Sequence, residues 1–157
     1  MYEISKTYAF EAAHHIDTLP EGHKCKRPHG HSYKAEFVIA CEQLNGHGFV
    51  MDFADIDQAV QPLIKQLDHR DLNEVFDNVP LTSEFLAGWL FYEADIRISG
   101  GTGVIFPDNS LYVAFIANTE DYVAVTRNII SQFRTATPRL MKVRVSETDK
   151  TYAEYTR

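Results

Sequence analysis

Apolar residues alternate with polar ones at both ends of this chain and recur at helical spacing between them. Within residues 2 to 13, Tyr2, Ile4, Tyr8 and Phe10 share one parity, which predicts a half-buried strand. From His31 to Cys41 the alternation is cleaner, with Tyr33, Ala35, Phe37 and Ile39 on the face that carries His31, so a second strand is expected there. The loop between them, 15 to 28, holds Pro20, Gly22 and Pro28. Asn45-Gly-His-Gly48 signals a turn. After it, Asp52 suits the cap of a helix whose stripe is Phe53, Ile56, Val60, Leu63, Ile64 and Leu67. Pro62 lies inside that helix and removes one backbone hydrogen bond, so a kink or a solvent-side irregularity is expected. Thr82 or Ser83 caps a second helix with Phe85, Leu86, Trp89 and Leu90 on one side, most simply a core stripe.

Val104-Ile-Phe106 and Leu111 to Ile116, joined by Pro107-Asp-Asn-Ser110, read as a hairpin. A helix from about Glu120 to Phe133 follows, with Tyr122, Thr126, Ile129, Ile130 and Phe133 as its stripe. Gly100-Gly-Thr-Gly103 lacks the strand before and the Gly-Lys-Ser/Thr end of a phosphate loop and reads as linker. The chain closes with a strand from Leu140 to Glu147, a turn near Asp149-Lys150 and a short strand from Tyr152 to Tyr155. Strands at both ends with helices between them predict an α+β domain, an antiparallel β-sheet with helices packed on one face.

Length and composition fit one domain spanning residues 1–157: at 45% hydrophobic content the chain buries one core without staples. It has two cysteines, Cys25 and Cys41, and no charged start followed by an apolar run, which reads as a reducing, cytoplasmic location. No apolar stretch is long enough for a membrane span. The net charge of -7 disfavours nucleic acid as a partner, because phosphate backbones are held by clustered Lys and Arg. Lys24, Lys26 and Arg27 are a basic exception around Cys25. They read equally well as a seat for the phosphates of a small substrate or as a solvated loop.

The chemistry concentrates in Cys25-Lys-Arg-Pro-His29-Gly-His31. Side chains two apart on a strand share a face, so His29 and His31 can reach one metal ion. Phe10-Glu-Ala-Ala-His14-His15 ends the first strand, and pairing of the two strands would bring His14 or its neighbour beside them. Three neutral imidazoles leave Zn²⁺ its full charge and an open position, as in catalytic sites. By strand alternation His15 points away from the face of His14, which makes His14 the better third ligand. A free Cys is usually a small buried residue. That suits Cys41, but the charged loop around Cys25 favours a reactive thiolate. Asp68-His69 ends the first helix, where the dipole alone accounts for a His, although a carboxylate can also orient an imidazole as a base. Glu147 shares parity with Val143 and Val145 and points inward, so it needs a partner: an internal cation, or a ligand edge donating two parallel hydrogen bonds.

Phe10-Glu-Ala-Ala-His14, Pro20-Glu-Gly-His-Lys-Cys25, His29-Gly-His31, Leu67-Asp-His69 with Leu72-Asn73, Thr82-Ser-Glu84 and Val145-Ser-Glu147-Thr occur in the order of the 6-pyruvoyltetrahydropterin synthase superfamily. The chain resembles it over residues 1 to about 94 and 139 to 157, with an unmatched insertion at about 96–138. The three-residue gap between Cys25 and His29 is most similar to the 6-carboxy-5,6,7,8-tetrahydropterin synthase branch.

The resemblance implies the tunnelling fold, with subunits joined edge to edge in a homo-oligomer, a hexamer in the family. It implies zinc on His14, His29 and His31, proton transfer by Cys25 and His69 with Asp68 orienting His69, often across a subunit boundary, and Glu147 anchoring a pterin. Thr82 and Ser83 lie near that pterin by the same analogy, although capping alone explains them. Lys24 and Arg27 are candidates for the phosphates. The implied activity is that of a zinc-dependent carbon-carbon lyase in 7-deazaguanine (queuosine) precursor biosynthesis. It converts 7,8-dihydroneopterin triphosphate to 6-carboxy-5,6,7,8-tetrahydropterin with release of acetaldehyde and triphosphate. A triphosphate-eliminating 6-pyruvoyltetrahydropterin synthase, or a non-catalytic pterin or zinc binder, are the alternatives.

Overall fold

The first alternating segment forms β1 (Tyr2–His14) and the second forms β2 (His29–Cys41), paired antiparallel along their whole length from Tyr2↔Cys41 to His14↔His29. The computed structural model describes residues 1–77, 79–98 and 137–157. The expected hairpin at 104–116, the helix at 120–133 and the Gly100–Gly103 linker lie outside them.

Between β2 and the C-terminal strands come α1 (Phe53–Leu67), a two-residue β3 (Arg70–Asp71), a single turn α2 (Leu72–Val75) and α3 (Ser83–Ile98). Then β4 (Arg139–Thr148) and β5 (Thr151–Thr156) close the sheet in the order β3-β1-β2-β4-β5. The sheet is mixed rather than wholly antiparallel. β3 follows directly on α1 and runs parallel to β1, pairing Ala12 with Arg70 and Ala13 with Asp71. Two residues are too few to leave a periodic trace in sequence.

The helices cover one face of the sheet, as expected. Phe10, Tyr33, Ala35, Phe37, Ile39, Val143 and Val145 point to them and are buried against Ile56, Val60 and Leu63 of α1 and Leu86 and Leu90 of α3. Asp52 caps α1, its Oδ1 accepting the Ala54 N–H at 2.8 Å. Phe53 is a correction: it is half-exposed, because as the first residue of the helix it sits beyond the core. α1 runs unbroken through Pro62, which faces solvent, where water can satisfy the carbonyl that the missing N–H leaves open. Tyr8 donates to Asp57 Oδ1 at 2.8 Å and Lys6 Nζ meets the same carboxylate at 2.6 Å, tying α1 to β1. Thr82, not Ser83, caps α3, its Oγ1 accepting the Phe85 N–H at 3.3 Å. Among the described residues no helix is long and apolar enough to cross a membrane.

Candidate metal centre

The β1–β2 register decides the site. It sets His14 directly opposite His29 and Ala12 opposite His31, so three imidazoles gather at one end of the sheet on its helix side. Ring centroids are 4.6 Å apart for His14 and His29, 4.9 Å for His29 and His31, and 5.2 Å for His14 and His31. One ligand atom from each lies within 4.8 Å of the others, positioned to hold a metal ion.

The outer nitrogens are already engaged. His14 Nδ1 hydrogen-bonds the Leu81 carbonyl at 2.7 Å and His29 Nδ1 that of Arg27 at 2.8 Å, so each ring donates there and turns Nε2, with its lone pair, inward. His14 Nε2 and His31 Nε2 are buried without a hydrogen-bond partner among the described residues. Buried polar atoms are rarely left unsatisfied, and two such ring nitrogens within one three-histidine cluster fit a cation. Burial, and then the neighbouring His29 and His31, hold the His14 imidazole below its ordinary pKa against the pull of the Leu81 carbonyl and Glu147. It is therefore neutral near pH 7, the form that ligates.

Glu147 completes this group. The β4–β5 ladder steps from Ser146↔Tyr152 to Thr148↔Thr151, which leaves Glu147 as the extra residue of a bulge. Its Oε1 accepts the Ser83 hydroxyl at 2.7 Å, while Oε2 lies 3.9 Å from His31 Nε2. No internal Lys or Arg pairs with Glu147 among the described residues, which leaves the ligand alternative standing. Tyr33, read from the sequence as core, is fully buried beside His31 with its hydroxyl unpartnered among the described residues.

Other predicted residues lie apart. Cys25 sits in a single 3₁₀ turn (Lys24–Lys26) of the loop between His14 and His29, a free, half-buried thiol. Its N–H donates to His23 Nδ1 at 3.1 Å and its carbonyl accepts from Ile16 N at 2.9 Å. Lys26 is paired with Glu21, and Lys24 and Arg27 are exposed. His15 points away as expected, its Nε2 lying 3.2 Å from Asp17. Asp68 and His69 meet each other at 2.9 Å. His69 adopts a left-handed backbone (φ 58°) and lines a cleft of about 520 Å³ together with Glu11, Ala13, Gly30, His31 and Ser32. Among the described residues Gly30 is not sterically required, since a Cβ there would meet only the Ala12 carbonyl at 3.6 Å.

Sequence reasoning missed the Leu81 carbonyl and Asn73. A main-chain acceptor carries no side-chain signal. Asn73 is noticed only as part of a motif, although its carboxamide bonds both His15 N and His15 O.

The sequence profile of the 6-pyruvoyl tetrahydropterin synthase family matches residues 3–106 of this chain. A 6-carboxy-5,6,7,8-tetrahydropterin synthase of Synechocystis sp. is 40% identical over 96 residues, 58% of this chain and 73% of that protein. A dihydroneopterin monophosphate aldolase of Pyrococcus furiosus is 35% identical over 82 residues, 52% of this chain and 65% of that protein. The structure of the Caenorhabditis elegans 6-pyruvoyl tetrahydropterin synthase superposes with a TM-score of 0.67 at 21% identity, covering 99% of this chain and 95% of that one, a likeness of fold.

Proposed function

The chain belongs to the 6-pyruvoyl tetrahydropterin synthase family, and from that premise we propose that it is a zinc-dependent lyase converting 7,8-dihydroneopterin triphosphate to 6-carboxy-5,6,7,8-tetrahydropterin. The observation that carries the reading is the three-histidine cluster with the buried Nε2 atoms of His14 and His31, which have no hydrogen-bond partner among the described residues, beside Glu147. His14, His29 and His31 hold the metal. When bound, zinc supplies Lewis acidity toward the hydroxyls of the substrate side chain.

The remaining work belongs to side chains. Cys25 Sγ gives and takes a proton. Asp68 Oδ1 accepts from His69 Nδ1, leaving Nε2 for proton transfer, and the dyad of one subunit serves the metal centre of another. Glu147 anchors the pterin through its 2-amino and N3-H edge, and Ser83 steadies its other oxygen. Lys24 and Arg27, both exposed, receive the triphosphate. The protein works as a homo-oligomer in the cytoplasm, where Cys25 stays reduced, and its product enters queuosine precursor synthesis.

The relative named as an aldolase supports a second reading, aldol cleavage of dihydroneopterin monophosphate. Incubation of the zinc-loaded protein with each substrate, followed by mass identification of the pterin, separates them. The carboxylated pterin with acetaldehyde is expected. A pyruvoyl product, an aldol cleavage product or no product overturns the assignment.

A further inference from the structure

The ladder between β3 and β1 is only two pairs long, yet the β1 edge stays hydrogen-bonded from Glu11 to His15 because flanking residues continue it. On one flank, Asp68 Oδ1 accepts the Glu11 N–H at 2.9 Å and the His69 N–H donates to Glu11 O at 2.6 Å. On the other, Asn73 Oδ1 accepts the His15 N–H at 2.8 Å and Asn73 Nδ2 donates to His15 O at 3.1 Å. The carboxamide thereby makes both bonds that a neighbouring strand residue would make. Only Asn, with an acceptor and a donor on one short rigid group, does this from that position; Asp offers acceptors alone. Asn73 is itself fixed, since its N–H donates to Asp71 Oδ1 at 3.0 Å and its neighbour Leu72 is fully buried.

His15 is where the chain leaves the sheet. One residue before it stands His14, and one residue after it Ile16 bonds the carbonyl of Cys25. We propose that Asn73 is a positioning residue of the metal centre: its carboxamide clamps the His15 peptide and so fixes the backbone from which His14 reaches the metal. Its effect combines with that of the Leu81 carbonyl, which fixes the His14 ring from the other side. The inference rests on His14 being a metal ligand, as proposed above.

The test is zinc affinity, by competition with a chromophoric chelator, for the full chain and for Asn73→Ala, Asn73→Asp, His14→Ala and Asp52→Ala. Partners that orient a metal ligand typically change affinity by about 10- to 100-fold when removed, so Asn73→Ala should bind zinc at least about tenfold more weakly. Asn73→Asp keeps the acceptor for His15 N and should fall between; it also serves if the Ala variant does not fold. Asp52→Ala removes the α1 cap at the other end of the sheet and should lower stability while leaving zinc affinity unchanged. The Co²⁺-substituted protein should show a shifted d–d band in Asn73→Ala. Wild-type zinc affinity and an unshifted cobalt spectrum in both Asn73 variants would overturn the inference while sparing the metal site. Undiminished binding by His14→Ala would instead overturn the ligand assignment beneath it.

Discussion

Replacing Tyr33 by Phe should stabilise the metal-free protein. The Tyr33 side chain is fully buried, and its hydroxyl has no partner among the described residues. Burial, and then the nearby Glu147 carboxylate, push its pKa up, so the phenol stays neutral. An unsatisfied buried polar group costs about 1–3 kcal/mol, and Phe removes that cost. The stack on Phe10, at 5.0 Å between centroids and 10° between planes, survives the change. A one-atom void offsets part of the gain, leaving about 1 kcal/mol. For a chain of this size that is about 2–4 °C in Tm. Urea melts of metal-free wild type and Tyr33→Phe, at equal protein concentration, should show a higher midpoint with an unchanged slope. A loss of about 0.5 kcal/mol or more with unchanged slope would refute the reasoning, because it would mean that the hydroxyl is hydrogen-bonded in the folded chain.

Asp57 is held below the ordinary carboxylate pKa by its bond to Lys6 and next by the Tyr8 hydroxyl, so it stabilises the fold above the unfolded value of about 3.8 and loses that effect as pH falls through the lower folded value; acid titrations should be shallower in that window for Asp57→Asn. Gly30→Ala should fold and bind metal normally and gain roughly 0.5 kcal/mol in denaturant melts, since the added methyl finds ordinary contact and the strand loses a flexible residue. Cys25→Ala should retain zinc and pterin binding by calorimetry and yield no carboxylated product; full turnover would remove Cys25 from the mechanism.

The strands and the metal cluster were legible because they depend on one rule, the alternation of side chains along a strand. His29 and His31 share parity by sequence alone, and His14 joins them once β1 and β2 pair end to end. The inward direction of Glu147 followed from the same parity, though its bulge did not, because a bulge depends on the neighbouring strand. What the sequence hid depends on tertiary placement. β3 is too short to pattern, the clamp by Asn73 requires α2 to dock against the end of β1, and the acceptor for His14 is a backbone carbonyl. Phe53 misled because periodicity marks a face but not where the core ends. The left-handed backbone at His69 and the parallel return of the chain into β3 could not be read from an Asp-His pair.

The most direct test of the central claim is the zinc content of the purified full chain, by elemental analysis after dialysis against zinc, compared with His14→Ala, His29→Ala and His31→Ala. About one zinc per chain is expected in the wild type and a large loss in each single variant, given three ligands to an otherwise open site. Equal zinc in wild type and all three variants, or none in any, would contradict it.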